Sequence, residues 1–318
     1  MKVVIPGGTG QLGSILNRAL TTAGHDVVVL TRDPVRDHEV RWDGETLGPW
    51  AGTIDGSDVV VNLAGRSVNC RYTPANLRDM MDSRVNSARV VGEAITAAAR
   101  PPRAWLQMST ATIYAHRLDA PNDETTGVIG GGEPGTPPYW GYSVKIATSW
   151  ERAQRRAATP HTRKVAMRAA IVMSPDRGGA FDVLSRLARL GLGGTVAGGR
   201  QYVSWIHDQD FARAVEFLAE RDDITGAVNL AAPHPLTQRQ FMRALRAAWG
   251  VPLGLPATAW MAELGALAIR SDTELLLKSR RVVPGLLLAA GFSFDHPQWP
   301  DSAIDLVERA RAERRHRA

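Results

Sequence analysis

A tyrosine and a lysine lie three residues apart in the stretch YWGYSVKIATSWE, and together they have the chemistry to move a proton. A tyrosine phenol has an ordinary pKa of about 10, so only about 0.1% of it is ionised at pH 7. Lowering that pKa by about 3 units requires about 4 kcal/mol of preferential stabilisation of the phenolate. Lys145 carries a cation that can contribute to this stabilisation at Tyr142, so the pair is a candidate for acid/base catalysis.

The spacing of this pair must be judged on a helix, which the sequence predicts over residues 143–158. On a helix, residues i+3 and i+4 lie about 60° to one side and about 40° to the other side of residue i, so both share its face. The long stem of a lysine absorbs part of that difference. Three interpretations stay open: Tyr142 exchanges protons, Tyr142 lines a pocket while Tyr114 or a bound water handles protons, or the stretch does no chemistry.

The loop GGTGQLG, near the N-terminus, is the first element that would position such a pair against a cofactor. It follows the apolar strand pattern KVVIP and precedes an amphipathic helix pattern. Gly7, Gly10 and Gly13 permit a tight turn, close approach of backbone to a pyrophosphate, and packing of helix against strand. At the helix N-terminus, Gln11 and Leu12 add amide donors at the positive end of the dipole. The loop therefore predicts dinucleotide binding.

The end of the second predicted strand, DVVVL, bears on which dinucleotide is bound. Thr31 and Arg32 follow this strand, where NAD-binding folds usually carry an acidic residue. A guanidinium favours a 2′-phosphate and offers no acceptor to a pair of ribose hydroxyls. Asp33 comes next and suits those hydroxyls. We therefore predict NADP, with NAD as the less favoured alternative.

Strands and helices alternate through the first 175 residues, which predicts a parallel sheet covered on both faces: a doubly wound α/β fold of the Rossmann type. The third strand ends in NLAG, which places Leu63, Ala64 and Gly65 at the carboxyl edge, where such folds bind ligands. The long helix that follows is predicted to begin with Thr73 as its cap and to end before Pro101.

The rhythm of strands and helices changes beyond about residue 175. KVAMRAAIVMS is predicted to be one strand, Asp208 to cap the next long helix, and Thr237 with Gln240 to form a capping box. The domain division that follows assigns 1–175 to the NAD(P)-binding domain, to which 203–232 return, 176–202 and 233–300 to a smaller substrate-binding lobe, and 301–318 to a C-terminal helix and basic tail.

These motifs together resemble one known family. GGTGQLG, NLAG, the strand end MSTATIY and the Tyr/Lys pair are similar to those of the extended short-chain dehydrogenase/reductases, the NAD-dependent epimerase/dehydratase group. The likeness is closer to an epimerase-like branch with a distinctive C-terminal domain, and it is carried there by SRVNSARVVGEAI, GRQYVSWIHDQD and LLLKSRRVVPGLLLAAGFSFDHP. The resemblance covers nearly the whole chain and implies NAD(P) at the glycine loop with a C-terminal substrate lobe.

The resemblance also implies roles for residues at the strand end MSTATIY. In extended members, a serine or threonine four residues before a tyrosine hydrogen-bonds the substrate, and Thr110 has that position relative to Tyr114. Ser109, at the same strand end, is assigned to the cofactor. Tyr114 is assigned to the substrate. Arg168, Arg200 and Trp205 are further candidates to line the substrate lobe, with packing as the alternative for these three.

The resemblance further implies that Tyr142 is the acid/base residue with a lysine four residues later. That position holds Ile146, and the lysine is Lys145. Members of this branch often lack the full pair, and their helix ends in a Trp-Glu that Trp150–Glu151 reproduces. The register therefore weakens the predicted pair without excluding it.

Composition limits the other classes of function. The net charge is +6, from 38 basic and 32 acidic residues. The tail from Glu308, which we expect to fray, holds five arginines against two glutamates, or +3 of that charge, and the remainder forms no evident stripe. Nucleic acid is therefore not a predicted partner. The N-terminal apolar run is too short for a signal peptide, and no apolar run reaches about 18 residues, so a membrane span is not predicted either.

Cysteine and metal patterns point to the cytoplasm. Cys70 is the one cysteine, so no internal disulfide forms, and neither a CxxC nor an HExxH pattern occurs. His207, Asp208 and Asp210 have the residue types of a metal cluster, but Asp208 suits a helix cap better. We expect a cytoplasmic protein without a metal site.

The function predicted from the sequence is an NADP(H)-dependent oxidoreductase or epimerase-like enzyme. Hydride would pass between nicotinamide and a small carbonyl or hydroxyl substrate, with Thr110 orienting the oxygen and Tyr142, helped by Lys145, exchanging its proton. The rival is an NADPH-binding sensor that regulates a partner without turnover. The oligomeric state stays open, with a homodimer among the assemblies that helix pairs build in this superfamily.

Overall fold

The computed structural model describes residues 1–258, 260–261 and 274–317. Seven strands of this part form one parallel sheet. The strands are β1 (Lys2–Pro6), β2 (Asp26–Thr31), β3 (Glu39–Arg41), β4 (Val59–Asn62), β5 (Ala104–Thr110), β6 (Arg163–Ala169), β7 (Ile171–Met173), β8 (Tyr202–Val203), β9 (Trp205–His207), β10 (Gly226–Leu230) and β11 (Leu236–Thr237). The order across the sheet is β10, β6, β5, β4, β1, β2, β3.

Apolar runs explain the central strands. Residues 3–5 of β1 and 59–61 of β4 are at most 1% exposed, because both faces of a parallel sheet are covered. β1 lies between β2 and β4, pairing Val3 with Val27 on one side and with Val59 on the other. The chain leaves β1 in one direction and returns to its other side at β4, so a crevice for a ligand lies beyond the carboxyl ends of these two strands.

Helices pair over the sheet. The described helices are α1 (Gln11–Thr22), α2 (Pro74–Ala97), α3 (Trp140–Arg156), α4 (Ala180–Arg189), α5 (Asp208–Glu220), α6 (Gln238–Trp249), α7 (Glu274–Leu277), α8 (Gly285–Ala289) and α9 (Trp299–Arg317). α1 packs against α5, and α2 packs against α3. This arrangement confirms the predicted doubly wound α/β fold.

Two predicted helix starts are confirmed. The hydroxyl of Thr73 accepts from the backbone N–H of Asn76, and α2 ends at Ala97, before the prolines. Thr237 and Gln240 form a reciprocal capping box at the start of α6. Both signals are local in sequence, so neither depends on the tertiary fold.

Two other predicted boundaries are wrong. His207 caps α5, with its ring accepting from the backbone N–H of Gln209, and Asp208 lies in the first turn. KVAMRAAIVMS is two strands, because the chain bends at Ala170, whose N–H donates to the carbonyl oxygen of Leu230 at the end of β10. Beyond that bend, β7 leaves the main sheet and pairs with β9.

A second hydrophobic cluster lies beyond the sheet. Phe181 of α4, Phe241 of α6 and Trp299 of α9 are buried in it, and the rings of Phe241 and Trp299 stack with centroids 3.9 Å apart. Leu306 and Ala310 of α9 are buried in the same cluster. The tail that we expected to fray is therefore helical through Arg317, because its apolar face packs on α6.

No helix within residues 1–258, 260–261 and 274–317 combines the length and the apolar composition needed to cross a bilayer. The longest apolar candidate in the sequence, LGALAI at 264–269, lies outside the described residues.

Candidate functional site

The loop between β1 and α1 packs directly against the end of β4. Gly7 has a φ of +77°, and a Cβ built there would lie 2.7 Å from the Cα of Ala64. A Cβ on Gly13 would lie 2.3 Å from the carbonyl oxygen of Gly8. Real Cβ atoms do not approach backbone so closely, so both positions require glycine. The result is a cradle of bare backbone at the carboxyl edge of the sheet.

No side chain among the described residues caps the N-terminus of α1. Gly10 is the N-cap, and it brings no side-chain acceptor to the first-turn amides of Gln11, Leu12 and Gly13. Nε2 of Gln11 is buried and has no hydrogen-bond partner among the described residues. It lies so close to Gly179 that a Cβ there would be 1.9 Å away. Amide donors without a cap, beside a cradle that a side chain would fill, fit the pyrophosphate of a dinucleotide.

The end of β2 places the residues that bear on NADP or NAD. Thr31 is buried, and its hydroxyl shares a hydrogen bond with that of Thr9 at 3.2 Å. Arg32 and Asp33 are exposed. In the part of the chain that the structure describes, no hydrogen bond or ion pair engages the guanidinium of Arg32, so it is available to a ligand.

A hydrogen bond to the side chain of Asn62 holds the turn that follows β4. Leu63, Ala64 and Gly65 follow the last residue of the strand, Asn62. The buried side chain of Asn62 accepts from the N–H of Ala64 at 3.1 Å and donates to Oε1 of Gln107 at 3.0 Å. This pairing holds the backbone of the turn in place next to the glycine cradle.

Arg84 of α2 lies against this turn, and the sequence analysis did not single it out. A Cβ on Gly65 would lie 3.1 Å from both Cγ and Cζ of Arg84, whose guanidinium lies 5.0 Å from the ring centroid of Trp150. It donates to the carbonyl oxygen of Met80, but no carboxylate among the described residues pairs with it. Burial lowers the pKa of Arg84 to about 10. A desolvated guanidinium at this position can bind an anion. In the sequence, Arg84 was marked only by its place in the family-like stretch SRVNSARVVGEAI.

Ser109 and Tyr114 belong to a buried polar network beneath the end of β5. Oγ of Ser109 donates to Oε1 of Glu151 at 2.6 Å, and Glu151 accepts two hydrogen bonds from Arg168 at 2.8 and 2.9 Å. Arg168 also donates to the hydroxyl of Tyr114 at 3.0 Å, which donates to Oδ1 of Asn229 at 2.9 Å. Burial raises the pKa of the Tyr114 phenol. The network joins β5, α3, β6 and β10.

The hydroxyl groups of Ser109 and Tyr114 are both hydrogen-bonded within this network. Tyr114 is 2% exposed, and its hydroxyl already has a donor and an acceptor within the protein. Its side chain therefore supports the strand end, and its assignment to the substrate stays a prediction. The hydroxyl of Ser109 is likewise engaged by Glu151, and the assignment of Ser109 to the cofactor stays a prediction.

Thr110 is the last residue of β5, and its hydroxyl accepts from the N–H of Thr112 at 3.1 Å. A hydroxyl that accepts keeps its own proton to donate, which suits orientation of a substrate oxygen. The turn that follows is held by the C-terminal block: Lys278 donates to the carbonyl oxygen of Thr112 at 2.9 Å, and Arg280 donates to its hydroxyl at 3.1 Å. The C-terminal domain thus helps to position the backbone beside Thr110.

Three buried charges connect that block to α3. Nζ of Lys278 lies 3.4 Å from Oε1 of Glu274, and Oε2 of Glu274 accepts from the hydroxyl of Ser143 at 2.5 Å. Burial raises the pKa of Glu274 and lowers the pKa values of Lys278 and Arg280. Because Ser143 follows Tyr142, this cluster ties the start of α3 to the turn beside Thr110.

Tyr142 and Lys145 both lie in α3, which begins at Trp140, three residues before the predicted start. Lys145 is exposed, and its Nζ lies 5.9 Å from the centroid of the Tyr142 ring. Ile146, at the i+4 position, is 7% exposed. The i+3 position therefore lies on the exposed side of the helix and the i+4 position on the buried side.

Arg200 and Trp205, the other residues assigned to the substrate, lie in different surroundings. Trp205 is 0% exposed and packs edge-on against Trp299, with centroids 4.9 Å apart. Packing, the alternative given for this side chain, accounts for its position. Arg200 is exposed, directly after the short turn Ala197–Gly199, and its assignment stays a prediction.

His207, Asp208 and Asp210 do not converge on one point. Asp208 accepts two hydrogen bonds from Arg309, both at 2.8 Å. Asp210 accepts the backbone N–H groups of residues 295 and 296, both at 2.9 Å. These two carboxylates therefore hold α9 and the preceding loop against α5.

A different set, His207, His296 and Asp305, brings its ligand atoms within 4.8 Å of one another. The two imidazole rings stack with centroids 3.7 Å apart, so their in-plane lone pairs run side by side and do not meet at one ion. Arg309 also lies 3.3 Å from the carboxylate of Asp305. A guanidinium at that position opposes a bound cation.

Two family models match this chain, one over the part that contains the glycine cradle and one over the C-terminal block. Residues 3–231 match the NAD dependent epimerase/dehydratase family, and residues 257–305 match a domain of unknown function, DUF1731. The chain belongs to the NAD-dependent epimerase/dehydratase family. This confirms the resemblance inferred from GGTGQLG, NLAG and MSTATIY and from the C-terminal block.

Relatives in the epimerase/dehydratase family are similar over nearly their whole length. The epimerase family protein SDR39U1 of Bos taurus is 32% identical over 302 residues, which are 94% of this chain and 97% of that protein. An epimerase family protein of Mycobacterium bovis is 32% identical over 298 residues, 92% of this chain and 93% of that protein. The crystal structure of human epimerase family protein SDR39U1 with NADPH has a TM-score of 0.85 at 28% identity, covering 97% of this chain and 99% of that chain.

Proposed function

We propose that this chain is an NADP(H)-dependent oxidoreductase or epimerase-like enzyme that acts on a small carbonyl or hydroxyl substrate by hydride transfer. The observation that carries the proposal is the backbone cradle at Gly7 and Gly13, packed on Ala64 beside an uncapped helix N-terminus. The human relative crystallised with NADPH supports the same cofactor.

Several groups of this chain would hold the cofactor. The amides at the start of α1 would bind the pyrophosphate, and the exposed Arg32 would bind the 2′-phosphate that distinguishes NADP from NAD. Arg84, desolvated beside Gly65, would bind a further anionic group of the cofactor or substrate. NADPH, when bound, supplies the hydride.

The proton would be exchanged by the chain itself. Thr110 would orient the substrate oxygen, and Tyr142 would give or take its proton. Nζ of Lys145 is exposed and lies 5.9 Å from the centroid of the Tyr142 ring, so water screens its charge. In bulk water an ion pair is worth only about 1 kcal/mol even at about 4 Å. That is well below the roughly 4 kcal/mol that a neutral-pH phenolate needs. Proton transfer would therefore be slow unless the bound cofactor and substrate bring the ammonium closer to the hydroxyl.

This shortfall favours the second candidate function, a sensor that binds NADPH and regulates a partner without turnover. The specific observation is that Lys145 is exposed and one residue short of the family spacing. The glycine cradle serves such a protein equally well, because binding needs no proton transfer.

Tyr142→Phe in the full chain separates the two functions. For an enzyme, we expect NADPH oxidation across a panel of small carbonyl compounds to fall at least about 100-fold. The Kd for NADPH, measured by its fluorescence, should change less than about twofold because the ring remains. Tyr202→Phe, which removes a hydroxyl from β8, is the matched control and should retain turnover. Tight NADPH binding with no turnover by the unmodified chain on any of these compounds would contradict the enzyme and support the sensor.

A further inference from the structure

A cluster of arginines surrounds Trp249 at the end of α6. The guanidinium carbons of Arg189, Arg311 and Arg314 lie 5.2, 5.2 and 5.5 Å from the centroid of its ring. Arg189 ends α4, whereas the other two belong to α9. The packing of three helices therefore brings three positive charges to one aromatic side chain.

A groove of about 560 Å³, which we call the arginine groove, lies over this cluster. It is lined by Arg189, Trp249, Val251, Arg311, Arg314 and Arg315. An adjoining hollow of about 450 Å³ shares three of these residues and adds Arg177 and Arg186. The groove is open to solvent, and its volume falls in the range of sites for small ligands.

Carboxylates do not balance the charge of the arginine groove. Within the described residues, Arg189, Arg311, Arg314 and Arg315 make no ion pair with an aspartate or glutamate. Asp182 and Glu313 line the adjoining hollow, and Asp182 pairs with Arg186 at 3.0 Å. Desolvation and the neighbouring arginines lower the pKa of Arg314. Like charges held together in this way are stabilised when an anion binds between them.

Arg309, on the same helix, shows the contrast with an arginine that has a structural partner. Its two terminal nitrogens each lie 2.8 Å from an oxygen of Asp208. Among the described residues, Arg311, two residues later, donates only to the carbonyl oxygen of Trp249, at 3.4 Å. The guanidiniums of the groove thus keep most of their donors for a ligand.

We propose that the arginine groove binds a small ligand that carries at least two phosphoryl groups. Phosphate oxygens accept paired hydrogen bonds from planar guanidinium forks, and stacking on Trp249 holds these forks in place. The groove is separate from the glycine cradle. Gly179, which contacts Gln11, precedes the first turn of α4, whereas Arg189 is its last residue, about 15 Å further along the helix axis.

Calorimetric titration of inorganic tripolyphosphate into the full chain, with saturating NADPH present, tests this proposal. We expect one tripolyphosphate per chain, bound at least 10-fold more weakly by the double variant Arg311→Gln/Arg314→Gln. Arg152→Gln/Arg155→Gln is the matched control: it removes two exposed arginines of α3 at the same spacing, and the affinity should change less than about twofold. Arg311→Lys/Arg314→Lys keeps the charge without the planar fork and should lie between the two.

The outcomes separate the sources of binding. Equal weakening in the groove variant and the control would assign binding to net charge and overturn the proposal, as would the lack of measurable heat with the unmodified chain at low salt. A nucleoside triphosphate that binds like tripolyphosphate supports recognition of the phosphates alone, and one that binds more tightly supports a nucleotide as the ligand. A single-stranded oligonucleotide that binds at least 10-fold more tightly than either, and only with the groove intact, would replace the small ligand with nucleic acid.

Discussion

The carboxyl edge of the sheet has two parts that are held very differently. Ser109, Glu151 and Arg168 are buried or nearly so and are joined by hydrogen bonds of 2.6 to 2.9 Å. Within the described residues, the contact between Tyr142 and Lys145 is limited to the lysine ammonium, which is exposed and lies 5.9 Å from the centroid of the tyrosine ring. The fold therefore fixes the support beneath the candidate site much more firmly than the groups proposed to transfer protons.

Replacement of Arg168 breaks the buried part and carries the largest expected effect. Arg168→Met leaves Glu151 charged and without two of its hydrogen bonds, so the free energy of unfolding should fall by about 3–5 kcal/mol. Arg89→Met, which removes the partner of the exposed Glu93, is the control and should cost less than about 1 kcal/mol. Chemical denaturation followed by circular dichroism measures both variants, and equal losses would remove the distinction between buried support and exposed surface.

The glycine cradle belongs with the firmly held part, and Gly7→Ala tests it. The methyl group meets Ala64 and also forces alanine into a left-handed conformation, so we expect a loss of about 2–4 kcal/mol and at least 10-fold weaker NADPH binding. Gly24→Ala separates the two causes, because Gly24 has a φ of +82° and no atom of the described residues lies within 4 Å of its Cβ position. It should cost about 1 kcal/mol and leave the Kd for NADPH unchanged. Similar Kd values for the two variants would contradict the cradle as the cofactor site.

Arg32 is exposed, as Lys145 is, so its replacement should alter the choice between NADP and NAD with little effect on the free energy of unfolding. Arg32→Asp is expected to lower the ratio of NADP to NAD affinity about tenfold, close to 1.4 kcal/mol. Arg152→Asp reverses the charge at an exposed site on α3 and should leave the ratio unchanged. Titration of both reduced cofactors by fluorescence gives the ratio, and the same value in Arg32→Asp as in the unmodified chain would rule out this residue as the 2′-phosphate contact.

The features that could be predicted from the sequence are those decided by near neighbours in the chain. The glycine loop, the cap at Thr73 and the capping box at Thr237 each depend on residues within one or two turns. The His207 cap was missed because an imidazole is a less common acceptor at that position than the aspartate beside it.

The buried support could not be predicted, because its members come from separate elements. Glu151 and Arg168 meet only because α3 packs over β5 and β6. Arg84 reaches Gly65 only through the packing of α2 on the turn after β4. The position of Trp205 could not be predicted for a similar reason. The sequence does not distinguish a tryptophan that lines a pocket from one that is buried in a hydrophobic cluster, where Trp205 lies.

The burial of Ile146 has a consequence for how the catalytic spacing of the family could arise in this chain. A lysine at 146 would bring an ammonium into the protein interior, while loss of Lys145 alone would remove the cation over Tyr142. Neither substitution improves the site by itself, because the benefit of the first requires α3 to rotate on the sheet. The two positions are therefore epistatic, and a mutational path to the four-residue spacing must cross less stable intermediates or change the helix packing first.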